Sequence, residues 1–405
     1  MKRTLAMYYT IAKNFIRGLW EELLALTITT IGSFVAGAIF GLGADIIAIK
    51  PSMLVIAPAT MDMRGNIYSS LASRLGSVLH LGHVEPKISK NPILLDNVKS
   101  VLTQTMIMGI YLGSIGSVLC MFTGIVEVID LVFMSSLTGF LALPLMLLVT
   151  FSIAFLTYRK GLDPDNFSVP IITFTGDAIS LPLLLASALI AIKMIYELKL
   201  LFLILFILFL TFLMYIVSQG RKYLKKIIYE TVPIFALCGL LDIIAGLTLV
   251  VNIESMIKTA GILTIIPCFL EDGGAIGGIL AAKISTKLHL GDIEPHIVPS
   301  KKVFKEFYKV YFVSVIVFPV IAVYGYIVSS LLNLSIPPLI LLVPAVLISG
   351  FVLVLIISLL AYFISITSFK KGVDPDNVTI PILTSTIDVA GMFILVYVLL
   401  FFYRV

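Results

Sequence analysis

The chain has 405 residues, of which 60% are hydrophobic and only 13% are charged, and its mean hydropathy is +1.12. Soluble proteins carry about 25% charged residues, so this composition excludes a soluble protein and indicates a membrane protein. The formal net charge of +5 comes from basic residues between apolar runs and does not indicate nucleic-acid binding. No hydrolase motif, nucleophile–base pair or phosphate loop is present, so neither an enzyme nor an organic cofactor is expected.

The chain begins with a segment, residues 1–23, that is predicted to be an amphipathic helix on the cytosolic face of the membrane. Eleven apolar runs follow, each long enough for the roughly 20 residues that cross a bilayer. The sequence therefore predicts an all-α polytopic membrane protein of about 11 spans, embedded in a lipid bilayer. The spans are expected near residues 24–49, 53–79, 98–124, 131–157, 168–192, 199–218, 231–255, 262–287, 307–332, 338–364 and 379–403.

Lysines and arginines concentrate in alternate connections between these spans. The basic connections include Arg159–Lys160, Arg221–Lys226 and Lys370–Lys371, whereas the intervening connections hold few basic residues. The positive-inside rule places such connections in the cytosol. We therefore expect a multi-pass protein of the cell membrane with a cytosolic N-terminus and an extracellular C-terminus.

Two stretches of the sequence occur twice. Leu79–Pro86, LHLGHVEP, recurs as Leu288–Pro295, LHLGDIEP, at an offset of 209 (288 − 79). Arg159–Ser180 recurs as Lys370–Gly391 with 11 of 22 positions identical and an offset of 211 (370 − 159). We predict two five-span repeats, residues 24–197 and 221–405, joined by an extra transmembrane helix at residues 198–220. Because that helix restores the orientation, the repeats would be parallel and related by a pseudo-two-fold axis along the membrane normal.

The second span of each repeat contains helix-weakening residues near its middle. Pro58 and Gly65 lie in the first copy, and Pro267, Gly273 and Gly274 lie in the second. Proline removes a backbone donor and glycine loosens the helix, so we expect irregular backbone here. At membrane depth such backbone is tolerated only where it is buried in protein or lines a water-filled path.

Each copy of the longer repeated stretch contains an aspartate inside an apolar run, Asp177 or Asp388. An acid at the bilayer centre costs about 2.5–3.5 kcal/mol on insertion scales. No Lys, Arg or His lies between Gly161 and Ile192 or between Gly372 and Phe402, so neither aspartate has a base on its own helix. Two carboxylates from parallel repeats would match the charge of one divalent ion. The alternative is that both aspartates are protonated structural groups.

Other polar residues of the spans supply oxygen ligands. The candidate set adds the hydroxyls of Thr173 and Thr384 and the amide of Asn66, with a second acidic layer of Asp62, Glu271 and Asp272. Oxygen ligands without His or Cys suit Mg²⁺, Ca²⁺ or Mn²⁺ rather than Zn²⁺, and composition alone does not choose among these ions. Six further acids could form a cytosolic vestibule: Asp163, Asp165, Asp374, Asp376, Glu21 and Glu230. For the four that belong to the two DPDN motifs, the alternative is helix capping.

The motifs of the second spans and of the longer repeat resemble those of a known family. MDMRGNIYSSLASRLGS (Met61–Ser77), its copy LEDGGAIGGILAAKIST (Leu270–Thr286) and the two DPDN…P…T…D segments resemble the membrane domain of the MgtE-type magnesium transporters, and more closely the two-repeat relatives in solute carrier family 41. The resemblance implies a two-fold arrangement around a central ion path, with one chain acting as a pseudo-dimer. It also implies that Asp177 and Asp388 are pore aspartates, that Thr173 and Thr384 contribute carbonyls, and that Gly65 and Asn66 form a signature pair.

The function expected from these observations is transport of a divalent cation, with Mg²⁺ as the transported ion and Ca²⁺ or Mn²⁺ as alternatives. The nearest rival is an exchanger that couples the divalent ion to Na⁺ or H⁺. A rival of another class is a membrane receptor or scaffold that transports nothing and whose aspartates are protonated structural groups.

Overall fold

The computed structural model describes residues 27, 30–87, 89–124, 126–160, 164–252, 258–371 and 375–403. Within these ranges the regular structure is helical. Short 3₁₀ helices occupy Met121–Thr123 and Ala260–Thr264. The α-helices are α1 (Thr30–Leu42), α2 (Ala44–Ile49), α3 (Met53–His80), α4 (Pro92–Cys120), α5 (Val128–Arg159), α6 (Pro164–Lys193), α7 (Tyr196–Gln219), α8 (Lys222–Val251), α9 (Ile266–His289), α10 (Lys301–Leu331), α11 (Leu339–Lys370) and α12 (Pro375–Tyr403).

Nine helical segments of the described chain are long and apolar enough to cross a membrane. This agrees with the predicted all-α polytopic membrane protein, although it is fewer than the eleven predicted spans. The first predicted span falls on α1 and α2, which are short and separated at Gly43. The second falls on α3, which is 28 residues long but carries charged and amide side chains within its length.

The prediction of irregular backbone in the second span of each repeat is wrong, because both spans are continuous helices. Helix α3 runs without interruption from Met53 to His80 and includes Pro58. One proline removes a single hydrogen bond, and the rest of the helical ladder is retained by packing against α6 and α8. Pro267 lies in the first turn of α9, where its missing N–H would have had no helical partner in any case.

The chain divides into two compact units that cut across the predicted repeats. The central unit, residues 38–260, contains α2 to α8. The terminal unit consists of residues 1–37 and 261–405 and contains the first part of α1 together with α9 to α12. The central unit therefore combines α8, the first helix of the second predicted repeat, with α3 to α6 of the first, and it also keeps α2, the end of α1 and α7. The terminal unit combines the first part of α1 with α9 to α12 of the second predicted repeat.

A close backbone contact joins the exchanged helix to its unit in both cases. A Cβ atom added at Gly246 of α8 would lie 2.3 Å from the carbonyl oxygen of Val55 in the central unit. In the terminal unit, a Cβ atom added at Gly37 of α1 would lie 2.1 Å from the carbonyl oxygen of Thr264. Both pairs are related by the offset of 209 that relates the repeated sequences (246 − 37 and 264 − 55). The same helix crossing thus occurs once in each unit.

The ends of α3 and α9 match in the same way. Gly82 has φ +68° and Gly291 has φ +71°, a left-handed conformation that favours glycine at the end of a helix. The amide nitrogen of His83 donates to the carbonyl of Val78 at 3.0 Å, and that of Asp292 donates to the carbonyl of Lys287 at 2.9 Å. The repeated motif LHLG is therefore a helix terminator in both units.

Replacing Gly246 by alanine is expected to destabilise the protein. The added methyl would collide with the backbone of α3, which cannot move as a flexible side chain could, and such overpacking costs about 1–3 kcal/mol or more. The melting temperature of the purified protein should fall by several degrees. Gly278→Ala is the matched control, because a Cβ at that helical glycine meets no atom within 4 Å, and it should melt at or above the wild-type temperature.

Helix α7, the extra helix of the prediction, is held at its start by an ion-pair cluster. Lys199 Nζ lies 2.6 Å from Asp130 Oδ1, and Lys50 pairs with Asp130 and, at 3.1 Å, with Glu127. Burial alone would lower the pKa of Lys50, but the hydrogen bonds with Asp130 and Glu127 outweigh it and the pKa is raised. Beyond this cluster α7 packs through Phe206 and Leu213 and leaves most of its other apolar side chains exposed, as expected of a helix that faces lipid.

Candidate metal-ion site

Two acids from different helices meet in the interior of the central unit. Carboxylate oxygens of Asp62 on α3 and Asp242 on α8 lie within 4.8 Å of each other. Asn66, one turn after Asp62, donates its amide to the Asp62 carboxylate. Asp242 is fully buried and Asp62 is partly buried. The Asp62 carboxylate and the Asn66 amide therefore lie on one face of α3, and the Asp242 carboxylate of α8 lies against that face.

Small residues on α8 explain why these acids come together. Gly239 and Gly246 lie one turn before and one turn after Asp242, on the same face of the helix. Gly246 allows the backbone of α8 to approach Val55, and Gly239 faces the side chain of Met63. The close approach at Gly246 brings α8 against α3 one turn from Asp242.

A second crossing brings the predicted pore residues of α6 to α3. The Cγ2 atom of Thr173 lies 3.1 Å from the position that a Cβ atom of Gly65 would occupy. A Cβ atom at Gly176 would lie 3.2 Å from the amide nitrogen of Gly65. Asp177, the next residue, is 6% exposed. The glycines of the MRGN and TGD stretches therefore allow α3 and α6 to cross at the level of Asp177.

Arg64 lies between these acids in sequence, but its side chain points elsewhere. It is two positions from Asp62, so a helix places the two side chains on nearly opposite faces. Its guanidinium approaches Gly139 of α5 and Thr105 of α4, and its Nε donates to the Thr60 carbonyl at 3.3 Å. Within the described ranges, Arg64 forms no ion pair with an acidic side chain.

The terminal unit has its own set of acids on α9 and α12. Asp272 is fully buried, and the Thr30 hydroxyl of α1 donates to its carboxylate at 2.8 Å. Glu271 and Asp388 are partly buried. Gly274 of α9 faces the Cγ2 atom of Thr384, 3.9 Å from an added Cβ, which is the counterpart of the contact between Gly65 and Thr173. The Gly–Thr crossing of the two helices thus also occurs in both units.

The predicted vestibule acids are described only in part. Asp163, Asp374 and Glu21 lie outside the described residues. Asp165 and Asp376 occur in the first turns of α6 and α12, but their side chains are not described. Glu230 is exposed and lies 3.8 Å from Lys226 on the same helix. The roles of these six acids stay predictions.

Sequence reasoning missed Asp242 and Thr30. Asp242 lies in an apolar run with no Lys, Arg or His between Glu230 and Asn252, which is the signal that identified Asp177 and Asp388. It was overlooked because the offset of 209 pairs it with Ser33 (242 − 33), so it does not recur as an acid. Thr30 carries no comparable signal, because nothing in the sequence predicts that α1 packs against α9.

Comparison with known proteins gives a consistent match. The family model MgtE, described as a divalent cation transporter, matches residues 57–187 and again residues 266–398. Solute carrier family 41 member 3 of Mus musculus is 25% identical over 364 residues, covering 84% of this chain and 73% of the relative. Solute carrier family 41 member 2 of Homo sapiens is 22% identical over 361 residues, covering 84% and 62%. No solved structure matches the chain.

Proposed function

The chain belongs to the MgtE family of divalent cation transporters, and from this premise we propose that it carries Mg²⁺ across the cell membrane along an acidic path. The observation that carries the proposal is the close pair of Asp62 and Asp242 in the interior of the central unit. Two ionised carboxylates at this separation repel each other unless a cation lies near them. A divalent ion would satisfy both charges.

The ligand chemistry supports a hard cation. The acids are accompanied by the Asn66 amide in the central unit and by the Thr30 hydroxyl in the terminal unit. The three cysteines are buried and form no disulfide, and none belongs to the acid pair. Oxygen donors favour Mg²⁺, Ca²⁺ or Mn²⁺, and Mg²⁺ keeps several of its waters, so it needs few protein ligands.

We propose that Asp177 and Asp388 form the central point of the path, with Thr173 and Thr384 one turn earlier. The two residues hold equivalent positions at the offset of 211 (388 − 177). Their helices cross α3 and α9 through the same kind of glycine–threonine contact in each unit. Asp62, Asn66, Glu271 and Asp272 would form the neighbouring layer, to which Asp242 is now added.

We also propose that the chain consists of two five-helix repeats, residues 24–197 and 221–405, which together act as a pseudo-dimer. One family model matches twice, at residues 57–187 and 266–398, and the starts differ by 209 (266 − 57). The paired glycine contacts and helix ends at the same offset support this arrangement. The charge bias of the connections supports a cytosolic N-terminus, an extracellular C-terminus and the 1–23 segment on the cytosolic face.

Uptake into proteoliposomes tests the proposed function. Liposomes that contain the purified chain and a trapped Mg²⁺ indicator should fill faster than empty liposomes when Mg²⁺ is added outside. Ca²⁺ and Mn²⁺ added as competitors measure the ion preference, and uptake that requires an imposed Na⁺ or H⁺ gradient would identify a coupled exchanger. Uptake equal to that of empty liposomes for every divalent ion, with no binding by calorimetry, would overturn transport in favour of a receptor or scaffold.

A further inference from the structure

The acidic path leaves one buried charge of the central unit unexplained. Arg64 is 0% exposed, and its Nη1 and Nη2 atoms make no hydrogen bond within the described ranges. A guanidinium carries five N–H donors and stays protonated in proteins, so it cannot remove this cost by losing a proton. Burying such a charge without a partner costs several kcal/mol. Some negatively charged or strongly polar group is therefore required beside it.

Among the described residues, the neighbours of Arg64 offer hydroxyl groups rather than an acid. Tyr68 follows one turn later on α3, and its hydroxyl neighbours that of Thr105 on α4. Ser136 of α5 lies one turn before Gly139, on the same face of that helix. All three hydroxyl residues are fully buried, and their oxygens have no hydrogen bond of normal geometry within the described ranges. We call Arg64, Tyr68, Thr105 and Ser136 the Arg64 cluster.

Two glycines shape the place where the cluster meets. A Cβ atom at Gly139 would lie 3.1 Å from Arg64 Nη1 and 3.3 Å from the methyl of Thr105. A Cβ atom at Gly109 would lie 3.1 Å from the Cα atom of Ser136. The crossing of α4 and α5 therefore brings the guanidinium and the hydroxyls close together.

We propose that the Arg64 cluster binds a small monovalent anion of the halide class, with chloride as the physiological candidate. Two guanidinium N–H groups and neighbouring hydroxyls can all donate to such an ion, and its charge offsets that of Arg64. The site goes beyond the proposed transport function, because the anion would be a resident counter-ion and not a transported ion. The equivalent position of the terminal unit is Gly273 (64 + 209), so the chain should hold one such site and not two.

Melting of the full-length chain in detergent, without divalent ions, tests this site. Raising sodium chloride at constant ionic strength, with sodium gluconate as the balancing salt, should raise the melting temperature by about 2 °C or more as the site fills. Arg64→Gln should remove this dependence on chloride. A crystal grown in sodium bromide should show one anomalous peak beside the η nitrogens of Arg64.

Arg74→Gln provides a matched control on the same helix. Arg74 is also largely buried, but its Nε donates to Asn97 at 2.8 Å and its Nη1 donates to Ser70 at 2.6 Å, so part of its guanidinium already has partners. This variant should keep the chloride dependence. Equal melting of the wild type in chloride and gluconate, or a bromide peak only at other residues, would overturn the proposal even if Arg64→Gln failed to fold. Because no divalent ion is used, failure here is separate from failure of the transport proposal.

Discussion

Replacing Asp177 by asparagine should reduce Mg²⁺ uptake into proteoliposomes by about tenfold or more. Asparagine has nearly the same shape and can still accept a hydrogen bond, so the change removes a charge and little else. A unit charge about 4 Å from another contributes about 4 kcal/mol at an effective dielectric of 20, and a divalent ion doubles the charge product. Since 1.4 kcal/mol is a factor of ten in an equilibrium constant, loss of even part of this term gives at least a tenfold effect.

The same change at Asp388 should have an effect of similar size, because the proposal gives the two aspartates equivalent roles. The double variant should show uptake near that of empty liposomes. If the path instead depended on one repeat only, one of the two single variants would transport at the wild-type rate. Comparing the two single variants therefore tests the proposed equivalence as well as the site.

Ser180→Ala is the matched control for Asp177→Asn. Ser180 lies one turn later on α6, is fully buried, and has a hydroxyl without a hydrogen-bond partner in the described part of the chain. Its removal tests whether α6 tolerates loss of a polar group, and uptake should stay near the wild-type level. Wild-type uptake by both aspartate variants would contradict the assignment of Asp177 and Asp388. Equal losses of uptake in Ser180→Ala and Asp177→Asn would indicate that α6 is destabilised by any loss of a polar group.

The sequence predicted most of the helices because apolar length and loop charge are local properties. The extra helix predicted at residues 198–220 is observed as Tyr196–Gln219, and the predicted fourth span at 131–157 lies within Val128–Arg159. The broken second span was wrong, since whether Pro58 interrupts a helix depends on the helices that pack around it. That packing is not encoded in a local motif.

For a related reason, the sequence could not predict with which helices α1 and α8 pack. The offset of 209 relates Gly37 to Gly246, but a repeat shows only which residues are equivalent. It does not say whether each first helix packs within its own repeat or against the other. The choice depends on contacts between distant segments, such as Gly246 with Val55 and Thr30 with Asp272. The closeness of Asp242 to Asp62 could not be predicted for the same reason, because the two acids lie in different predicted repeats.

Replacing Asp242 by asparagine should raise the Mg²⁺ concentration for half-maximal uptake by about tenfold or more. A carboxylate oxygen of Asp242 lies within 4.8 Å of one of Asp62, so both carboxylates would face the same ion. Without the charge of Asp242 the remaining carboxylate attracts a divalent ion more weakly, by the same Coulomb argument that applies to Asp177. The concentration dependence of uptake in proteoliposomes measures the change.

The alternative reading of this pair is a structural hydrogen bond between a protonated and an ionised acid. In that case asparagine at one position replaces the protonated carboxyl and preserves the bond, so Mg²⁺ dependence would stay at the wild-type level. Asp45→Asn, at an exposed acid of α2 in the same unit, controls for the loss of one negative charge and should not change the half-maximal concentration.

A double-mutant cycle separates the two readings further. If Asp62 and Asp242 hold one ion together, the first substitution already disrupts the site, and Asp62→Asn added to Asp242→Asn should cost much less than it does alone. Residues in contact commonly show such coupling, of about 0.5–3 kcal/mol, whereas independent sites add. Additive losses would mean that the two acids contact the ion at separate points of the path. Wild-type affinity in both single variants would remove the pair from the path altogether, and with it the observation on which the transport proposal rests.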